Sequence, residues 1–181
     1  MHTDEDIMAA VANGQLDQLT ELYQRYRRPL YGFLLKQVKV PATAEDLLQT
    51  TFERVIKYRT SFREGSTFRS WVFTIARNAL HDGMKKERRM PIKNGVDMGA
   101  LPLLTLSAHC EWEARETRSQ SAAALAALPD NYREVVDLAW KRGLKYAEIA
   151  TVLGLSEANV KVRIHRAVKQ LRINYAKIEQ Q

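Results

Sequence analysis

Tyr146-Ala-Glu-Ile-Ala-Thr-Val-Leu-Gly-Leu-Ser-Glu-Ala-Asn-Val-Lys161 reads as two short helices joined by a tight turn. Ile149, Ala150 and Leu153 recur at helical spacing and form the inner side of the first helix. Ala150 is small where the second helix must approach closely. Gly154 stands at the turn, where a left-handed backbone costs glycine little. Ser156 can cap the second helix, and Val160, Ile164, Val168 and Leu171 form its buried stripe.

The residues left outside point to a ligand. Ala158, Lys161, Val162, His165, Arg166 and Lys169 share the opposite face of the second helix, with Ser156, Asn159 and Arg163 beside them. A helix offered this way fits the major groove of DNA, where Lys and Arg reach phosphates or guanine edges. Between Lys141 and Lys177 the basic residues are Lys141, Arg142, Lys145, Lys161, Arg163, Arg166, Lys169, Arg172 and Lys177, against only Glu148 and Glu157. Affinity from such a cluster falls steeply with salt, by a log–log slope of roughly −0.9 per phosphate neutralised. The competing reading is a helical hairpin with a solvated basic face. A helix-turn-helix, moreover, names a binding mode and not a class of regulator.

Upstream, Gly143 stops a helix that Pro129 and Asp130 restart, and helical patterning runs back from Leu128 to Trp112. Residues 90–108 change character: Pro91, Asn94, Gly95, Gly99 and Pro102 interrupt any period, as in an interdomain linker. Three helices precede it. One spans Leu16 to Val38, with Leu19, Leu22, Tyr23, Tyr26, Leu30, Phe33 and Leu34 at three- and four-residue steps. Pro41 breaks that pattern; Thr43 is the expected N-cap of a second helix, with Glu45 and Asp46 in its first turn and Leu47, Leu48, Phe52, Val55 and Ile56 as its apolar set. After a polar loop, Arg59 to Gly65, Ser66 or Thr67 caps a third, carrying Phe68, Trp71, Val72, Ile75, Ala76, Ala79 and Leu80. Gly83 weakens its end, before Lys85, Lys86, Arg88 and Arg89. The fold class expected is all-α: two small helical domains, 1–89 and 112–181, joined by a flexible linker, 90–111.

Composition narrows the function. The 181 residues are 45% hydrophobic and 27% charged with a formal charge of +7, a globular chain suited to a polyanionic partner. Cys110 is the single cysteine, which excludes an intramolecular disulfide or a multi-cysteine metal site. No apolar run approaches the ~20 residues that span a bilayer, and MHTDEDIMAA lacks the basic start and apolar core of a signal peptide, so a cytoplasmic location is expected. There is no phosphate-binding loop, dinucleotide glycine motif or metal-ligand pair, and His2, His81, His109 and His165 are scattered. Glu45 and Asp46 are successive and diverge on a helix. No cofactor, no small-molecule substrate and no enzymatic activity are expected.

The third helix sharpens the reading. Its polar face carries Arg69, Arg77, Asn78, His81 and Lys85, while Phe62, Phe68, Trp71 and Phe73 surround its start. Cations interleaved with aromatics suit nucleic acid whose bases have left the duplex; Phe68 and Trp71 themselves read as core, with base contact on the loop and polar face. Here the chain resembles a known family. Ala44-Glu-Asp-Leu-Leu-Gln-Thr-Thr-Phe-Glu-Arg-Val55 and Phe68-Arg-Ser-Trp-Val-Phe-Thr-Ile-Ala-Arg-Asn-Ala-Leu-His-Asp82 look like region 2 of sigma-70 factors. Leu128-Pro-Asp-Asn-Tyr-Arg-Glu-Val-Val136 and Val160-Lys-Val-Arg-Ile-His-Arg-Ala167 look like region 4. Order and spacing, over roughly residues 15–175, resemble the extracytoplasmic-function (ECF) group of RNA polymerase sigma factors.

The resemblance implies a promoter-specificity subunit. Asp46, Gln49 and Phe52 would meet the coiled-coil clamp of the polymerase β′ subunit. Phe62, Arg63, Ser66, Thr67, Trp71, Asn78 and His81 would read the −10 element and hold a flipped base, offsetting an unstacking cost of about a few kcal/mol. Lys85, Lys86, Arg88 and Arg89 would hold the nearby backbone, although Gly83-Met84 interrupts what in the family is a continuous basic helix. Ser156, Ala158, Asn159, Lys161, Val162, Arg163, His165, Arg166 and Lys169 would serve the −35 element. Val162 is apolar where a polar residue is common, which suits a thymine methyl or no base at all. Implied partners are core RNA polymerase (β′ clamp and β flap), promoter DNA and an anti-sigma factor, which can hold such a protein at the inner membrane without any insertion of the chain itself. The alternatives are a dimeric helix-turn-helix regulator of duplex DNA, which leaves Ala44 to Asp82 unexplained, and a helical adaptor that binds only proteins, which leaves the basic excess after Lys141 unexplained.

Overall fold

The computed structural model describes residues 2–63, 65–89 and 120–179, and every regular element among them is helical. By mutual contact they group as residues 2–89 with Ala147–Leu155, and residues 120–146 with 156–179. The expected linker, 90–111, and the expected start of the second domain, 112–119, lie outside the described residues, as do His109 and Cys110.

The amino-terminal group opens with a helix that the sequence pattern left unassigned, α1 (Asp4–Ala12). A capping box starts it: Asp6 N–H donates to Thr3 Oγ1 and Thr3 N–H to the Asp6 carboxylate, at 3.1 and 3.0 Å. Ile7, Met8 and Val11 are buried along one side. A 3-10 turn, Leu16–Gln18, leads into α2 (Leu19–Val38), so the long helix begins three residues later than its apolar period suggests. Lys39, at φ +60, ends it, its N–H returning to Leu35 O at 2.8 Å.

The third helix, α3 (Pro41–Lys57), corrects the expected cap. Pro41 occupies the first helical position, where a missing N–H goes unnoticed, and Val40 precedes it in extended conformation with no side-chain cap bond. Thr43 lies inside the helix and the first turn holds no acid. The position of Asp46 therefore owes nothing to the helix dipole.

Helix α4 (Phe68–Arg89) runs without a break through Gly83. A Cβ on Gly83 would lie 3.4 Å from Leu47 Cδ2 of α3, so the two helices pass closely there. Beside this crossing Arg54 of α3 pairs with Asp82 of α4 at 2.8 Å. Fully buried Leu22, Leu30, Phe33, Leu34, Val55, Phe68 and Phe73 make the core. Edge-to-face ring pairs link its helices, Phe33 with Phe73 at 5.5 Å and Tyr26 with Phe68 at 5.0 Å.

In the carboxy-terminal group a helical stretch, α5 (120–126), precedes α6 (Asp130–Val136), which widens into a π turn over Asp137–Lys141. Arg142 closes that turn. Its Nε meets buried Asp137 at 3.1 Å, and its N–H returns to Asp137 O at 3.0 Å. Gly143, at φ +66, then ends it as the sequence suggests. Helix α7 (Tyr146–Leu153), which groups with the amino-terminal residues, is followed by a three-residue turn and α8 (Glu157–Glu179). Leu128, Val136 and Ala167 form a buried cluster with Leu125, Tyr132 and Leu171 packed on it. The far end of α8 is tied to α5 by buried Asn174, whose Nδ2 donates to Ala124 O at 3.1 Å. No helix among the described residues is long and apolar enough to cross a membrane.

Candidate nucleic-acid interface

The turn before α8 has the geometry its residues call for. Gly154 adopts φ +65, Leu155 N–H reaches Ala150 O at 2.9 Å, and Ser156 Oγ accepts from Asn159 N–H at 3.2 Å as the N-cap. With the start of α8 set, its residues sort by period. Val160, Ile164, Ala167 and Asn174 are buried, whereas Ala158, Lys161, Val162, His165, Arg166 and Lys169 are all exposed. Those six follow one stripe at three- and four-residue steps. Ser156 and Asn159 are also exposed, at the helix start; Arg163 is half-buried on the flank. Lys161 makes a surface pair with Glu157 at 3.1 Å, too exposed to contribute much to stability. Val162, 45% exposed, is an apolar contact in a cationic stripe.

A second face lies on α4. Asn78, His81 and Lys85 are exposed, and Trp71 is half-buried one to two turns earlier on the same stripe. Lys86, Arg88 and Arg89 belong to the last turn of this helix, but their side chains lie outside what is described. The start of α4 is a small aromatic assembly. Half-buried Phe62 stands edge-on to Trp71 at 5.4 Å and to Phe68 at 6.4 Å. Phe68 itself is fully buried, which is the core role its spacing suggests, and Trp71 lies between core and solvent. Thr67 caps the helix, its Oγ1 accepting from Ser70 N–H at 3.3 Å. Arg63 and Thr67 are exposed and Ser66 is half-buried. Gly65, at φ +82, lets the chain turn, with Ser66 N–H bonded to Arg63 O.

The third group of residues divides. Asp46 and Gln49 are exposed on α3, where Gln49 Nε2 donates to Glu53 at 3.0 Å. Phe52 is only 7% exposed, its ring edge-on to Tyr23 of α2 at 4.8 Å. Phe52 thus supports this surface from beneath.

Sequence pattern gives no sign of Glu5, whose carboxylate accepts from Phe68 N–H at 2.9 Å. The two are 63 residues apart, and nothing in either local stretch signals the contact.

Comparison with known proteins agrees with the two sets of helices. The family model of sigma-70 region 2 matches residues 22–90, and that of sigma-70 region 4 matches residues 121–171. The ECF RNA polymerase sigma factor SigM of Bacillus subtilis is 32% identical over 87% of this chain and 94% of its own length. The RNA polymerase sigma factor CarQ of Myxococcus xanthus is 32% identical over 91% of this chain and 93% of its own. Among solved structures, CnrH in complex with the cytosolic domain of CnrY aligns with a TM-score of 0.68 at 25% identity, covering 94% of this chain and 95% of that one. With both sigma-70 regions present in order and relatives matched along nearly their whole length, the chain belongs to the ECF RNA polymerase sigma factors.

Proposed function

We propose that this sigma factor divides its work among three surfaces: the exposed face of α8 reads the −35 element, the start and polar face of α4 read and hold open the −10 element, and α3 grips core polymerase. The observation that carries the reading is the single exposed stripe Ala158, Lys161, Val162, His165, Arg166 and Lys169, which sequence period and burial define independently. Lys161 and Arg166 supply charge for phosphates and guanine edges, and Val162 supplies a surface for a thymine methyl. On α4, Phe62 and Trp71 form the wall of a pocket for an unstacked base, Asn78 and His81 offer polar atoms along its edge, and Lys85 begins the hold on the backbone. On α3, Asp46 and Gln49 make the polymerase contacts, and Phe52 with Tyr23 stiffens the helix behind them.

RNA synthesis stays with the core enzyme, and this chain contributes specificity and opening. It acts in the cytoplasm, where an anti-sigma factor competes for the same surfaces. RpoE from Bartonella quintana, a similar fold at 23% identity, is seen with the anti-sigma factor NepR.

In vitro transcription with purified core polymerase and a random promoter library tests this reading. The expected result is a set of start sites sharing two sequence elements. Arg166→Ala should relax the upstream element and leave core association intact, whereas Asp46→Ala with Gln49→Ala should impair association. A chain that neither joins core polymerase nor directs it to any start site would overturn the reading.

A further inference from the structure

Helix α1 precedes the sigma-70 region 2 match, which begins at residue 22, yet two of its acids hold the elements around the proposed −10 site. Phe68 is the first residue of α4, so its N–H has no partner within the helix. Thr67 covers the next part of the turn: its Oγ1 accepts from Ser70 N–H and its carbonyl from Trp71 N–H, at 3.3 and 3.2 Å. Glu5 supplies the missing acceptor at 2.9 Å and sets a carboxylate at the positive end of the helix. The neighbouring Asp4 accepts from Arg25 and from Tyr26 Oη, both on α2. The Tyr26 ring in turn lies edge-on to Phe68. Burial of Ile7, Met8 and Val11 fixes the backbone that carries both acids.

We infer that Glu5 is a positioning residue for −10 recognition. Through Phe68 N–H it sets the point at which the chain enters α4, and so the placement of Phe62, Thr67 and Trp71. Glu5 touches no base. Its role rests on the reading of that junction as the −10 site. A brace that only stabilised the fold would weaken every template alike. A positioning residue matters most where the −10 base pairs must still be opened and a base captured.

The experiment uses holoenzyme assembled from core polymerase and the full chain, on two templates: a duplex promoter and the same promoter mispaired in advance across the −10 segment. Glu5→Ala should lower transcription from the duplex by about threefold to tenfold, change the mispaired template far less, and leave core association unchanged. Glu5→Gln keeps a carbonyl acceptor and should restore most of the loss. Glu5→Asp, which withdraws the acceptor by one methylene, should behave as a milder Glu5→Ala; it becomes the deciding variant if thermal melting shows Glu5→Ala unfolded at the assay temperature. Wild-type activity on the duplex, or equal loss on both templates, overturns the inference. Trp71→Ala separates the role of Glu5 from the −10 assignment beneath it. If Trp71→Ala too leaves duplex transcription unchanged, the −10 assignment of the junction falls; if only the Glu5 variants do, the role of Glu5 falls alone.

Discussion

The exposed face of α8 and the start of α4, the two surfaces proposed to meet DNA, are built in different ways. On α8 each exposed residue of the stripe owes its direction to the helical period, once Gly154 and Ser156 have set where the helix begins. The stripe is local and its members are independent. At the start of α4 the useful groups are placed by parts far apart in the chain: Phe62 leans on Phe68 and Trp71, Phe68 leans on Tyr26, and Glu5 holds the first backbone N–H. Side chains on a regular helix can be exchanged one at a time. A junction assembled by tertiary contacts transmits a change at any member to the rest.

The largest effect should follow from attacking the junction's centre. Phe68→Ala removes a fully buried ring and should cost about 3–5 kcal/mol of stability, abolishing −10 function with the fold; a thermal melt within a few degrees of wild type would break the contrast. Next is Arg142→Ala, in the carboxy-terminal group. It removes one charge partner of buried Asp137 and should cost about 1–3 kcal/mol, measurable by denaturant titration. That loss would show that the carboxy-terminal group also rests on a buried ion pair, one made between residues only five apart in the chain.

Arg166→Ala should do the opposite of Phe68→Ala. Stability should stay within about 0.5 kcal/mol of wild type, while −35-dependent affinity falls roughly tenfold and the salt dependence flattens by about one unit of slope. Asn78→Ala sharpens the comparison, because Asn78 lies on α4 but is exposed on a regular stripe. It should behave like an α8 residue, with no change in melting temperature and a loss confined to −10 preference in a promoter library.

The smallest effect separates α1's own cap from its tie to α4. The side chain and backbone of Thr3 hold the Asp6 carboxyl below its ordinary value of 3.8. A carboxyl depressed in the folded state stabilises it above the unfolded value and loses that contribution as pH falls through the folded one. Asp6→Asn should therefore lower the melting temperature slightly at neutral pH and hardly at all near pH 3, without the template discrimination expected of Glu5→Ala.

Most of the fold is legible in the sequence because helices declare themselves by period. Leu22, Leu30, Phe33 and Leu34 on α2, Val72, Ala76 and Leu80 on α4, and Val160 and Ile164 on α8 are buried where spacing puts them. The boundaries are less legible, since a cap depends on one or two residues and alternatives compete. Pro41 opens α3 although its type suggests a break outside the helix, and Thr43 caps nothing. Helix α1 is only nine residues long, and its buried Ile7, Met8 and Val11 span little more than one turn, too short a run to show a period, although Thr3 and Asp6 form a capping box that marks its start. At the site, residue type and resemblance group Phe52 with Asp46 and Gln49, and only packing against Tyr23 shows that it faces inward.

The sequence alone determined which faces are apolar, where the cationic stripe of α8 runs, and which motifs follow one another, because period and charge are properties of neighbours three and four residues apart. Tertiary structure decided which carboxylate meets the open end of α4, which aromatic supports which, and how closely α3 passes Gly83. Those depend on surfaces that adjoin only after the helices pack, and no local pattern encodes them.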